Sequence, residues 1–293
     1  MRSDLVLLVA ANLVYATSYV ATRATLDDLP PALLALVRLA VGSAVLVPVA
    51  RVLEAPGGPP VGPDAWRIFW MGVVGFAGAF ALSNWGMARS TATNAALLII
   101  VEPVSIMALS PLLLGERLSR REAVGGGLAL LGAVVVVLNG VPGVTHALAP
   151  HWRGDLLLVL AGVAYGAYTL LGRAVLRRHS ALRVTARSIV WGAVVMVPFA
   201  AAEWWGGARP VLSPVAVAGG LYLAVVITAC GYLLWNWVLA RVRAPQAAIS
   251  VTVQPVGGAV LGVVLLREPL TVFTVAGAVL IVLGLWLTVT GRQ

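Results

Sequence analysis

Runs of apolar residues, each about 20 long, alternate with short clusters of glycine, proline and charge from one end of the chain to the other. An α-helix of that length spans the roughly 30 Å hydrocarbon core of a bilayer. The punctuation predicts ten spans, at 5–24, 32–52, 66–88, 91–114 and 123–140, then 154–176, 181–202, 214–239, 246–266 and 272–290. The expected fold is all-α, a polytopic membrane protein of ten transmembrane helices. Ten spans take roughly 200 residues, so only short loops and tails remain from the 293. The first run carries Asn12, Thr17 and Ser18 and leads directly into a second span. It reads as a retained helix, not a signal peptide.

The chain also repeats itself. Tyr15 and Tyr165 stand 150 residues apart, as do Arg23 and Arg173, and Pro48 and Pro198. After a two-residue slip the offset becomes 152, and Asn84-Trp85 matches Asn236-Trp237. Glu102-Pro103 then falls on Gln254-Pro255, Glu116 on Glu268, Gly125 on Gly277 and Gly132 on Gly284. Matches at rare residues under a near-constant offset mark a duplication. The expected halves are 1–140 and 154–293, joined by a connecting loop at 141–153. Five spans per half make the second copy insert in the opposite direction, giving two inverted five-helix repeats. Many secondary transporters use that architecture to expose one central site to each side in turn. A duplication kept for packing alone would leave the same trace.

Composition adds an orientation. Charged residues make up 11% of the chain and hydrophobic ones 60%, against about 25% charged in a soluble domain. All 20 basic residues are arginine, and the net charge is +9. The arginines stand singly or in pairs between apolar runs, so they set topology and do not form the patch of a nucleic-acid binder. With the N-terminus in the cytoplasm, twelve arginines lie inside and five (Arg23, Arg89, Arg153, Arg209 and Arg267) outside. Both termini are therefore expected inside. Arg38, Arg173 and Arg187 sit within spans or at their ends. The one cysteine, Cys230, allows no intrachain disulfide, and His146, His151 and His179 fall in expected loops without metal-ligand spacing.

Several segments carry a resemblance. Tyr15-Ala16-Thr17-Ser18-Tyr19-Val20-Ala21-Thr22-Arg23 opens the chain's first half, and Arg38-Leu39-Ala40-Val41-Gly42 follows in the second span. Asn94-Ala95-Ala96-Leu97 leads through Glu102-Pro103-Val104 to Leu114-Gly115-Glu116-Arg117-Leu118 and Gly125. A second copy runs from Ala247-Ala248 through Gln254-Pro255-Val256 to Leu266-Arg267-Glu268-Pro269-Leu270 and Gly277. In order, spacing and duplication this resembles the drug/metabolite transporter superfamily, in its ten-helix EamA-type branch. The first segment departs from the family pattern in having Tyr15 for Trp and Ala16 for Gly. The resemblance implies a transporter of small metabolites, often an exporter of amino acids or drugs, in a bacterial inner membrane.

Glu102 is the most informative single residue. An ionisable side chain at the bilayer centre costs about 2.5–3.5 kcal/mol on insertion scales and by default indicates function. Pro103 removes a backbone hydrogen bond at that depth, and Pro255 does so in the second copy, so both are helix-break candidates. An unwound turn beside a carboxylate can bind a substrate ammonium or a coupling proton; a glutamate that merely ties helices together is the other reading. Gln254 cannot titrate, which makes any proton coupling asymmetric. Arg38, about 9 Å inside its span, can meet a substrate carboxylate, pair with Glu102, or snorkel to the headgroups. Tyr15, Ser18, Tyr19, Tyr165, Tyr168, Asn84 and Asn236 complete the candidates, each of which can line a cavity or serve helix packing. Trp66, Trp70, Trp204 and Trp205 read as interfacial anchors, and Glu116 and Glu268 as charges fixing helix ends.

No phosphate loop and no His-Glu-x-x-His motif occurs, and Asp27-Asp28 is the only adjacent acidic pair. The expectation is a secondary transporter, not an enzyme, with no cofactor and no nucleic-acid partner. Its partners are a small-molecule substrate and membrane lipid, with proton coupling as a candidate energy source; a monomer suffices, though the oligomeric state stays open. The alternative is a lipid-handling or sensory membrane protein that binds a small ligand without moving it.

Overall fold

The computed structural model describes residues 2–53, 62–114, 119–144, 151–241 and 253–290. Glu116, His146 and Ala247-Ala248 lie outside the described residues. Among those described, the chain is helical and has no strand. Its helices are α1 (Arg2–Thr25), α2 (Pro31–Leu53), α3 (Ala65–Met87), α4 (Ala92–Leu98 and Val101–Leu114) and α5 (Arg120–Leu138). The second half gives α6 (Trp152–Leu176), α7 (Ala181–Trp205), α8 (Pro214–Leu239), α9 (Val253–Leu266) and α10 (Val272–Thr290). Seven of them, α2 to α8, are both long and apolar enough to cross a membrane.

Local chemistry sets the helix starts. Ser119 accepts from the Glu122 amide while Glu122 accepts from the Ser119 amide, a reciprocal cap on α5. Thr91, Ser180 and Ser213 each accept a backbone N–H at the heads of α4, α7 and α8. Pro214 then occupies a first-turn position of α8, where a missing N–H costs nothing. Two further heads are capped from a distance. The Glu203 carboxylate at the end of α7 accepts from the Ala32 and Leu33 amides of α2 at 2.8 and 3.3 Å, and from Trp85 Nε1 at 2.8 Å. Glu268 accepts from Ala92 and Thr93 of α4, both at 2.7 Å. Arg267 beside it has φ of 55°, the one non-glycine residue described with positive φ, and this bend turns Glu268 back toward α4. Glu268 is thus a helix-end charge.

Several of the large packing contacts relate equivalent elements. α2 packs on α7 and α5 on α10, while α1 packs on α9 as α6 packs on α4. Each half therefore covers its apolar faces largely with the other. The duplicated glycines meet at one of these crossings: a Cβ on Gly132 would lie 2.7 Å from the Gly277 carbonyl oxygen, and one on Gly284 2.5 Å from that of Gly125. Such close approach is how helices associate where apolar burial gives no preference over lipid. Gly132→Val is expected to destabilise the protein by about 1–3 kcal/mol. A clear fall in the melting temperature of the detergent-solubilised protein would register this, and an unchanged one would show that the crossing has slack.

Both α3 and α8 depart from α-helical geometry, at Met71–Gly78 and Leu223–Gly231, where the bonding widens to the π pattern. These stretches are equivalent under the repeat. Wide turns of this kind rotate the following residues to a new face and recur at functional sites.

Candidate functional site

The break in α4 falls at Ile99 and Ile100, between its two helical segments. Pro103 has no N–H to offer the preceding turn, and the Glu102 amide bonds the Ile99 carbonyl at 2.9 Å instead. Glu102 therefore sits in the first turn of a half-helix, midway along the apolar span Ala92–Pro111. Pro255 occupies the first described turn of α9, and the residues before Val253 are outside the described set.

A cavity with about 820 Å³ of atom-free space, its open part included, lies against this break. α1 lines it with Tyr15, Ser18, Tyr19 and Thr22, α2 with Arg38, and α6 with Tyr165, Tyr168 and Thr169. Ser83 and Met87 of α3, Ile99 and Glu102 of α4, Tyr232 and Trp235 of α8, and Gln254 of α9 also face it. Thr22, Met87, Ala95 and Leu158 carry the lining toward the ends of their helices, on the side of the α1–α2 and α3–α4 turns. Two of its lining rings, Tyr168 and Tyr232, pack on Phe76 behind them. Phe76 contacts Tyr168 at 5.1 Å and Tyr232 at 4.8 Å between centroids, and the Tyr168 hydroxyl accepts from Asn236 Nδ2 at 2.7 Å.

The structure thus brings together Glu102, Arg38, Gln254, Tyr15, Ser18, Tyr19, Tyr165 and Tyr168 from the sequence candidates. It places Asn84 and Asn236 outside the lining. Asn84 donates to the Pro31 carbonyl at 2.9 Å, and Asn236 to Tyr168 and Thr185, each at 2.7 Å. Each ties its helix to the neighbour that precedes it in the same half, because a buried amide must find a partner and the helix start beside it offers one.

Arg38 is buried, 6% exposed, and makes no ion pair among the described residues. Its Nε donates to Thr228 Oγ1 at 3.2 Å, and its guanidinium carbon lies 4.1 Å from the centre of the Phe80 ring. These contacts fix the plane of the group, which lines the cavity. Glu102 is 8% exposed and lines the cavity together with Thr169. Arg38 and Glu102 do not pair with one another. One cavity therefore holds an arginine and a carboxyl group, both buried and not paired with one another.

Gln254, the repeat counterpart of Glu102, is fully engaged. Its Nε2 donates to Asn12 Oδ1 at 2.5 Å, and its Oε1 accepts from the Tyr19 hydroxyl at 2.7 Å.

The expected loops hold more structure than their composition suggests. His151 and His179 are buried at the two ends of α6. His151 Nδ1 lies 2.7 Å from Asp155, which also accepts from Ser90 at 2.5 Å and Asn94 at 3.2 Å. His179 Nε2 lies 3.1 Å from Asp64, near Arg67 and Arg178. Asp27 pairs with Arg23, and Asp28 accepts from Ser213. These clusters tie turns together away from the cavity.

Sequence reasoning missed Tyr232, Thr169, Thr228 and Phe80. Tyr232 had a usable signal, since five of the six tyrosines line this one cavity. Thr228 and Phe80 had none, because π turns in α8 and just ahead of Phe80 in α3 shift the facing positions away from the regular helical period.

Comparison with known proteins bears on this site and fold. The chain is similar to a probable terminal-alkyne amino-acid exporter of Streptantibioticus cattleyicolor, 29% identical, with 96% of this chain and 91% of the other covered. It is 28% identical to a probable amino-acid metabolite efflux pump of Salmonella typhimurium, over 99% of this chain and 96% of that one. A solved crystal structure shares the fold, with a TM-score of 0.71 and 22% identity, covering 100% of this chain and 98% of that one. The model of the EamA-like transporter family matches residues 2–138 and again residues 152–290. With nearly its whole length matched by a family of membrane transporters, not enzymes, this multi-pass chain belongs to the EamA-like transporter family.

Proposed function

We propose that the protein is a secondary exporter of an amino-acid-like zwitterion with an apolar or aromatic side chain, working by alternating access in a bacterial inner membrane. The observation that carries this reading is a buried arginine and a buried carboxyl group that line one cavity without pairing with each other. Arg38 matches a carboxylate, Glu102 an ammonium, and the tyrosines with Met87, Ile99 and Trp235 form an amphipathic wall for the rest. Two relatives bear names of amino-acid or amino-acid-metabolite export, which accords with that chemistry. Export has its support in those names, and a cytoplasmic location of both termini in the arginine count. Export runs either by proton exchange through Glu102 or by facilitated flow down the substrate's own gradient. The repeats at 1–140 and 154–293 would rock about the cavity, with the matched π stretches of α3 and α8 as natural bending points. The working unit in this reading is a single chain surrounded by lipid.

Purified protein in liposomes loaded with unlabelled amino acids tests this. Radiolabelled L-phenylalanine or L-leucine is expected to accumulate transiently by counterflow. Absence of exchange for every zwitterion tried, with folding verified and a proton gradient both present and absent, would defeat the proposal.

A further inference from the structure

The two halves build the same joint twice and finish it differently. On α1, Asn12, Ala16 and Tyr19 form one stripe facing α9. A Cβ on Gly257 would lie 3.1 Å from Ala16 Cβ, and one on Gly258 2.8 Å from the Tyr19 ring. The equivalent stripe on α6, at an offset of 150, is Gly162, Gly166 and Thr169, and it faces the break in α4. A Cβ on Gly162 would come within 2.9 Å of Val101 Cβ and 3.3 Å of the Glu102 nitrogen, and one on Gly166 within 3.2 Å of the Glu102 carbonyl oxygen. Spacings of four and three place all three residues of each stripe on one helix face.

In the first joint the amide of Gln254 is held at both ends, by Asn12 and by the Tyr19 hydroxyl. In the second, glycine replaces the asparagine, so nothing corresponding to Asn12 holds Glu102. What remains is the hydroxyl at the Tyr19 position. Thr169 is fully buried, its Oγ1 makes no hydrogen bond, and it lines the cavity together with Glu102, against which Gly166 on the same face is packed. A hydroxyl that donates to one carboxylate oxygen orients the other toward an incoming cation, and it does so without neutralising the charge.

We infer that Thr169 is a positioning residue for substrate recognition: its hydroxyl, in the place of Tyr19 in the other repeat, donates to Glu102 and aims the free carboxylate oxygen at the substrate's ammonium. This rests on the zwitterion reading above. The Gln254 joint is the static member of the pair, and the Glu102 joint is the one given over to the ligand.

The test uses titration calorimetry on the detergent-solubilised full chain with three probes. These are L-phenylalanine, 2-phenylethylamine, which lacks the carboxylate, and 3-phenylpropanoate, which lacks the ammonium. Thr169→Val removes the hydroxyl at nearly constant volume. It is expected to weaken L-phenylalanine and 2-phenylethylamine by about tenfold, with 3-phenylpropanoate unchanged. Thr169→Ser is expected to restore the binding of both amines. Wild-type affinity of Thr169→Val for both amines would overturn the inference while leaving the zwitterion reading intact, provided Glu102→Gln still loses them. Equal loss of all three probes without rescue by serine would also overturn it, by assigning Thr169 to packing. Should wild-type protein bind none of the amines, the zwitterion reading falls and the inference with it.

Discussion

Glu102→Gln abolishes any pH dependence of transport and weakens ammonium-bearing substrates by about 30- to 150-fold, equivalent to roughly 2–3 kcal/mol. The substitution keeps the shape of the side chain and makes the second joint match the first, since Gln254 already occupies the equivalent position. What it removes is the charge that faces the ligand and the proton that can exchange there. The size of the effect follows from burial: Glu102 is 8% exposed, and a charge-assisted contact made away from water is worth far more than one at a surface. Counterflow measured across a range of external pH separates the two roles. Loss of affinity with the pH profile unchanged would remove the proton role and leave recognition in place.

Arg38→Gln has a comparable effect on the other end of the substrate. Carboxylate-bearing ligands are expected to lose about 2–3 kcal/mol of binding, while an amine without a carboxylate binds as before. Arg38→Lys should not rescue, although it keeps the charge. The arginine is held by a bond from Nε to Thr228 and by stacking over Phe80, and an ammonium on a flexible stem reproduces neither contact. Full activity of Arg38→Lys would show that only charge matters at this position, contrary to the fixed plane of the guanidinium.

The span pattern was legible because each helix here must be long and apolar enough for lipid, a constraint that leaves its mark on every residue. The expected 214–239 and 272–290 coincide with α8 and α10. The duplication was read from Asn84-Trp85 and Asn236-Trp237, which are costly or rare in an apolar chain and recur at one offset. The helix break was legible from Glu102-Pro103, although it falls just upstream, at Ile99 and Ile100. Helix faces were harder. A span that is apolar all round has little periodicity, and π turns in α3 and α8 displace what periodicity there is. Hence the sequence left lining and packing both open for Asn236, which is bonded to Tyr168 and Thr185, and Tyr232 went unremarked. The buried His–Asp pairs at the ends of α6 were hidden for another reason: they join residues 4 and 115 positions apart, and the longer of those separations leaves no local trace.

The central claim is that one cavity recognises both charged ends of a zwitterion. Dissociation constants of the wild-type protein for L-phenylalanine, 2-phenylethylamine and 3-phenylpropanoate test it most directly. The zwitterion is predicted to bind at least about tenfold more tightly than either singly charged analogue, since it alone satisfies Arg38 and Glu102 together. Equal binding of the zwitterion and either analogue would contradict the account.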